Sequence, residues 1–190
     1  MKIRIKIQGG LMFLGLGTVV LLSNSVFPHQ RQAFLDGALS AIGMGLILFG
    51  FLFRVSARGY KEEKSSNGNV LVKDGPYAII RNPMYFGTFM IGTGVVAMLL
   101  EPWFFLLFAA ISLLIYAPQM KKEEKVLSER FGLEYKEYCK LTPKYFPRLD
   151  YLARLNKYVS LKDFWVKKEI VPMVTTIIVV LLIEIWEHLR

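Results

Sequence analysis

The sequence predicts an all-α, polytopic integral membrane protein of about five transmembrane helices, folded as one domain over residues 1–190. Three observations predict it. Hydrophobic residues make up 54% of the chain and the mean hydropathy is +0.39, more apolar surface than a soluble domain of this size needs. That surface is gathered into five runs: Ile7–Phe27, Gly37–Phe53, Pro83–Leu100, Pro102–Met120 and Ile170–Trp186. A bilayer core about 30 Å thick takes ~20 apolar residues per helix, and charge is nearly absent from all five runs, Glu184 being the exception. Third, the Lys and Arg residues cluster in alternate connections between the runs.

The first run follows Lys2, Arg4 and Lys6, which is how a secretory signal begins. Further spans follow it, and "LLSNSVFP" is a poor cleavage site, so an uncleaved first helix is expected. The second run carries Gly43, Gly45 and Gly50, and the third carries Gly87, Gly92 and Gly94. Small residues in membrane helices let backbones approach, so these are read as packing positions. Asn82-Pro83 opens the third run as a helix start, with Asn capping and Pro in the first turn. Only Leu100, Glu101 and Pro102 separate the third run from the fourth, so the two must form an antiparallel hairpin. That geometry brings Asn82–Tyr85 beside Gln119–Glu124. Pro118 is expected to kink or end the fourth helix. The fifth run is uncharged only over Ile170–Ile183, and fits a tilted or peripheral helix.

The formal net charge is +9. Such a balance can mark a nucleic-acid binder, but the distribution excludes that reading. Of the 24 Lys and Arg residues, 22 precede the first run or fall in the two connections Arg54–Arg81 and Lys121–Lys168. By the positive-inside rule those segments and the N-terminus are cytoplasmic, and the C-terminus is outside. The basic segments would lie against anionic headgroups. One cysteine, Cys139, rules out an internal disulfide. His29 and His188 are too far apart in the chain to assemble a His/Cys metal cluster, and no metal site is expected.

Beyond Met120 the chain reads as a helix leaving the membrane. At about 100° per residue, Leu127 and Phe131 fall within about 60° of Glu124, while Lys122, Lys125, Glu129 and Arg130 lie on the other side. Glu124 thus sits on an apolar stripe and Glu123 borders it. A buried carboxylate costs several kcal/mol unless it is paired. Two partners are open: a salt bridge to Arg81 or a nearby Lys, or a cationic ligand. Gly132 ends or bends this helix.

The order of these motifs, "NVLVKDGPYAIIRNPMYFG", a hairpin, then "KKEEKVLSERFGLEYKEYCKLTPKYFP", resembles the isoprenylcysteine carboxyl methyltransferase and phospholipid methyltransferase group. The family pattern is a Leu-Val stretch, a Gly-x-Tyr turn, Arg-His-Pro-x-Tyr, a two-helix hairpin, and Glu-Glu before Phe-Gly-x-x-Tyr-x-x-Tyr. The resemblance covers roughly Asn69–Leu149, under half the chain, and it is the combined spacing that is specific.

The resemblance implies a methyltransferase using S-adenosylmethionine, with a cytoplasmic, cofactor-binding C-terminal region. It places the donor against Asn69, Val70, Leu71, Val72, Gly75, Tyr77, Asn82, Pro83, Met84 and Tyr85, with a carboxylate from Glu123 or Glu124. Arg81, Asn82, Tyr85 and Glu124 would be the catalytic group, and Gln119, Tyr135 and Lys144 would face the acceptor. The partners implied are membrane lipids and a lipophilic methyl acceptor: a phospholipid amine, an isoprenylated carboxylate, or another lipophilic thiol or acid. A cationic donor suits a carboxylate and aromatic faces. Methyl transfer is an in-line displacement that needs alignment more than acid–base groups.

Three positions depart from the pattern. Asn82 stands where many members have His, and Asn cannot act as a base. Gln119 stands where the isoprenylcysteine enzymes have an Arg able to hold a carboxylate bidentately, which puts a carboxylate acceptor in doubt unless Lys121 or Lys122 substitutes. Lys144 stands where Arg is frequent. Two other classes compete: a membrane NADPH-dependent sterol-type reductase, against which the short chain argues, and a non-catalytic membrane protein that uses its basic face.

Overall fold

Long apolar runs make long helices, and in the computed structural model these set the architecture. Residues 33–65, 67–147, 149–152 and 155–189 are described. In chain order the helices are α1 (Ala33–Ser65), α2 (Pro76–Ile79), α3 (Pro83–Leu99), α4 (Phe104–Leu141), α5 (Leu149–Leu152), α6 (Leu155–Tyr158) and α7 (Asp163–His188). There is no strand among the described residues. Three helices are long and apolar enough to cross a membrane, over Phe34–Ser65, Phe104–Leu141 and Trp165–Trp186. α3 is apolar but has 17 residues, about 25 Å at 1.5 Å per residue. The protein is therefore a membrane protein, and its described residues fold as helices and the turns between them. The first apolar run, Ile7–Phe27, lies outside the described residues.

α1 and α3 form the tightest contact, and glycine makes it. They run antiparallel and touch at two levels, seven residues apart along each helix. A Cβ on Gly43 would lie 2.6 Å from the Gly94 carbonyl oxygen, and one on Gly50 would lie 2.5 Å from that of Gly87. Without side chains in the way, the backbones meet and dispersion replaces a hydrophobic drive that lipid cannot supply. Gly92 instead receives the Phe108 ring of α4. Gly45, grouped with these positions by sequence, faces open space. α7 closes the bundle, with Val180, Met173, Ile177 and Ile183 packed against Ile47, Phe51, Met98 and Leu99.

The hairpin of α3 and α4 forms as expected, over the short connector Leu100–Trp103. Its two arms meet through rings: Phe89 with Phe105 and Phe108 at centroid distances of 6.4 and 5.5 Å, and Tyr85 with Tyr116 at 5.4 Å. Bulky spacers hold the arms apart and leave a cleft. Pro118 does not end α4, which runs on past it; the non-helical residue inside the helix is Gly132, at φ 52° and ψ −116°. A proline removes one hydrogen bond while the turns on either side keep theirs, whereas a left-handed residue redirects the axis. The apolar stripe continues past the bend: Leu127 and Phe131 join Tyr135, Tyr138 and Leu71 in one cluster.

Candidate functional site

The chain from Gly68 to Asn82 is stapled to the outer half of α4. Arg130 donates to the Gly68 carbonyl at 2.8 Å, Lys73 pairs with Glu134 at 2.7 Å, and the Tyr138 hydroxyl donates to the Tyr77 carbonyl at 2.7 Å. Gly75 turns the chain at φ 60°, and a Cβ there would strike the Tyr60 ring at 2.7 Å. The Arg81 amide donates to the Pro143 carbonyl at 2.9 Å, which brings Pro143–Phe146 alongside the start of α3.

Asn82 does not cap α3 with its side chain, contrary to the sequence expectation. Its backbone sits at φ −121° and ψ 60°, and its Nδ2 is buried with no hydrogen-bond partner. A buried amide donor left unmatched inside the protein costs about 1–3 kcal/mol. That cost is recovered if a bound molecule presents an acceptor.

The two adjacent carboxylates have different surroundings. Glu124, 17% exposed, meets Lys144 Nζ at 2.6 Å and Arg81 Nη1 at 3.3 Å. Arg81 Nη1 also lies 3.0 Å from Cys139 Sγ. Two cations thus share one carboxylate. Burial opposes the charge on Lys144, but the hydrogen bond and charge of Glu124 outweigh it and raise its pKa above the ordinary 10.5. Glu123 accepts from the Tyr85 hydroxyl at 2.7 Å and from Gln119 Nε2 at 3.0 Å. Both donors are neutral. Tyr77 is pushed above the ordinary tyrosine range, by burial first and then by the charge of Glu123, so it remains a neutral phenol.

Between α3 and α4 lies a cavity of about 360 Å³. Phe86 and Phe89 wall one side, and Ala109, Ala110, Ser112, Leu113 and Tyr116 the other. Ile80, Asn82, Tyr85, Met120 and Lys144–Phe146 form its head. Lys144 is the one charged residue among these. Leu113 and Phe146 are largely exposed, so the cavity opens along the flank of the hairpin. A second cavity, of about 280 Å³ and more polar, lies between Lys73, Ala78, Glu134, Glu137, Tyr138, Thr142 and Tyr151.

Of the residues singled out by sequence, Asn82, Tyr85 and Lys144 line the apolar cavity, with Arg81, Gln119, Glu123 and Glu124 linked to them by the contacts above. Tyr135 is buried against Leu71 and Tyr138 and does not line it. Asn69 and Val70 are exposed, Leu71, Val72, Gly75 and Pro83 are buried, and Met84 is half-buried; none of them lines it. Sequence reasoning missed Ala109, Ala110 and Ser112, small residues facing aromatics across a hairpin. It also missed Glu169, only 1% exposed, which holds Arg54 and Arg58. The signal was present, because Arg54 directly follows the second apolar run and Glu169 directly precedes the fifth.

The phospholipid methyltransferase family model matches residues 39–134. Among curated proteins, the protein-S-isoprenylcysteine O-methyltransferase of Xenopus laevis is 27% identical over 134 residues, covering 66% of this chain and 46% of the relative. The nickel-cobalt-cadmium resistance protein NccN of Alcaligenes xylosoxydans xylosoxydans is 28% identical over 142 residues, 74% of this chain and 65% of the relative. The protein-S-isoprenylcysteine O-methyltransferase of Saccharomyces cerevisiae is 36% identical over 75 residues, 40% of this chain and 31% of the relative. The chain spans less than two thirds of the length of these relatives. No solved structure matches.

Proposed function

The chain belongs to the phospholipid methyltransferase family, and from that premise we propose that it is a membrane methyltransferase. The donor is S-adenosylmethionine and the acceptor is a lipophilic molecule that enters the cavity between α3 and α4. The observation that carries the reading is the head of that cavity. There an apolar pocket of about 360 Å³ meets Asn82, Tyr85 and Lys144, and Tyr85 reaches Glu123. Pockets of about 300–1,000 Å³ with a few convergent polar groups are typical of small-molecule sites.

The residues present fit such a donor. Its amino-acid end carries an ammonium and a carboxylate. Glu123, hydrogen-bonded only by neutral donors among the described residues, offers a carboxylate to the ammonium. Asn82 Nδ2, buried without a partner, offers a donor to an oxygen. Glu124 already has two cations beside it, Lys144 hydrogen-bonded at Oε2 and Arg81 ion-paired at Oε1, so of the two acids Glu123 is the better counter-charge. The bound donor supplies a methyl group on a cationic sulfonium. This chain's own residues bind and orient the two partners, and the apolar walls exclude water from the space between them. Asn82 cannot take a proton, so the acceptor must arrive as its own nucleophile. Lys144 at the head of the cavity suits an anionic head group, such as a lipophilic carboxylate or thiolate, better than an ammonium.

In the bilayer, we place the loops around the site on the cytoplasmic side, with five spans, the N-terminus inside and the C-terminus outside. The basic asymmetry of the sequence supports this orientation. The test is isothermal titration of detergent-purified protein with S-adenosylhomocysteine, then transfer of a radiolabelled methyl group to total host lipids. Expected are saturable binding and a labelled lipophilic product. Binding of NADPH in competition would move the reading to a reductase, and binding of neither molecule would leave a non-catalytic membrane protein.

A further inference from the structure

Glu169 of α7 is a buried carboxylate that does not line the cavity, yet it is the end of a chain of contacts that leads to the site. Arg54 of α1 grips it with two prongs, Nε to Oε2 at 3.2 Å and Nη2 to Oε1 at 3.3 Å, and Arg58 Nη1 meets Oε1 at 2.7 Å. The third nitrogen of Arg54, Nη1, donates to the Thr88 hydroxyl at 2.5 Å. Thr88 in turn donates to the Met84 carbonyl at 2.9 Å. Met84 and Tyr85 form the first turn of α3, and Tyr85 bonds Glu123 at the head of the cavity.

We propose that Arg54, anchored by Glu169, is a positioning residue that fixes the first turn of α3, and with it Tyr85, through the Thr88 hydroxyl. The chemistry favours this over a plain interhelical tie. A threonine inside a helix can satisfy its hydroxyl on the carbonyl four residues back without help. Here the hydroxyl also accepts from a guanidinium, and a charged donor polarises it and strengthens the bond it makes onward. Arg54 can reach both partners because its donors form a rigid fork, which a lysine lacks. Its stem fits because Gly87 leaves room: a Cβ there would lie 2.8 Å from Arg54 Cγ. α7 thus acts on the site without lining it.

The inference rests on the methyltransferase reading for its effect on ligand, but not for its effect on structure, and the experiment keeps the two apart. Thr88→Val removes the hydroxyl at nearly constant shape, Thr88→Ser restores it, and Arg54→Lys keeps the charge without the fork. Hydrogen exchange of a peptide covering Phe86–Met90 is measured on each protein in detergent, with the apo melting temperature and the affinity for S-adenosylhomocysteine. Thr88→Val and Arg54→Lys should speed exchange there and weaken the nucleoside about tenfold, the scale of one hydrogen bond to a charged group. Thr88→Ser should match the parent on both readouts. Exchange and affinity unchanged in Thr88→Val overturn the proposal, as does a loss that Thr88→Ser fails to restore. Faster local exchange with no nucleoside binding even in the parent supports the positioning role and removes the methyltransferase reading.

Discussion

Glu123 and Glu124 are adjacent in the chain, and the fold gives them opposite situations. The helical wheel places Glu124 on the apolar stripe and names Arg81 as a possible partner, and both hold in the structure. The helical wheel cannot show that Lys144, 20 residues further on, completes the pair, because the bend at Gly132 and the Arg81–Pro143 hydrogen bond bring it back. Nor can it show the unmatched Asn82 amide, since an Asn before a Pro reads as a cap on local grounds alone. Replacing Glu123 by Gln should weaken S-adenosylhomocysteine binding about tenfold to a hundredfold, the range for a charge-assisted hydrogen bond, and leave the apo melting temperature in place. Glu124→Gln should do the reverse. It strands Arg81 and Lys144 beside each other, at a cost on the order of 1–3 kcal/mol of stability. Titration and a thermal melt on both variants decide the assignment, and identical effects would refute it. The raised pKa of Lys144 adds a pH signature. A cation whose pKa is higher folded than unfolded contributes fully below the unfolded value and loses that contribution as pH rises through the folded one. Melting temperature should therefore carry an alkaline decline beginning near pH 10.5 that Lys144→Met reduces.

At the scale of elements, the hairpin and the glycine contacts were legible because both follow from strong local constraints. So short a connector admits one arrangement of two long helices, and clustered glycines in apolar runs mark close approach. Which glycines serve was not legible, because that depends on the rotation of each helix about its axis. Gly43, Gly50, Gly87 and Gly94 meet backbone, while Gly45 meets nothing within 4 Å. Pro118 did not mark the end of the helix, because a long helix runs on through a single lost hydrogen bond. Alanine at Gly50 or Gly94 should force α1 and α3 apart and cost about 1–3 kcal/mol, as overpacking does. Gly45→Ala should be neutral or stabilising by up to about 1 kcal/mol, through lower chain entropy. Melting of the three variants in one detergent gives the ranking. Equal behaviour of Gly45→Ala and Gly50→Ala would contradict the packing described.

At the scale of the whole molecule, charge and fold agree on which end is which. One end of the bundle gathers the last turns of α1, the loop before α3, the outer half of α4 and the start of α7. Lys162 with Glu63 and Lys168 with Glu62 tie α7 to α1 there, and Lys73 with Glu134 ties the loop to α4. This end holds the two connections Arg54–Arg81 and Lys121–Lys168 that dominate the basic residues. The opposite end holds Glu101 in the α3–α4 connector and the C-terminal end of α7. Positive segments are retained on the cytoplasmic side, so the site end should be cytoplasmic and soluble donors should reach it from there. Because α7 runs from the site end to the opposite end, a reporter fused after Met120 and one fused after Arg190 should fall on opposite sides of the membrane. A cysteine placed at Glu101 should be labelled by an impermeant thiol reagent from outside, in a chain whose Cys139 has been replaced by serine. Labelling of Glu101→Cys only after the membrane is opened would invert the orientation. Both reporters on one side would mean that α7 does not cross, and that the buried Arg54–Glu169 pair docks a helix lying along the bundle.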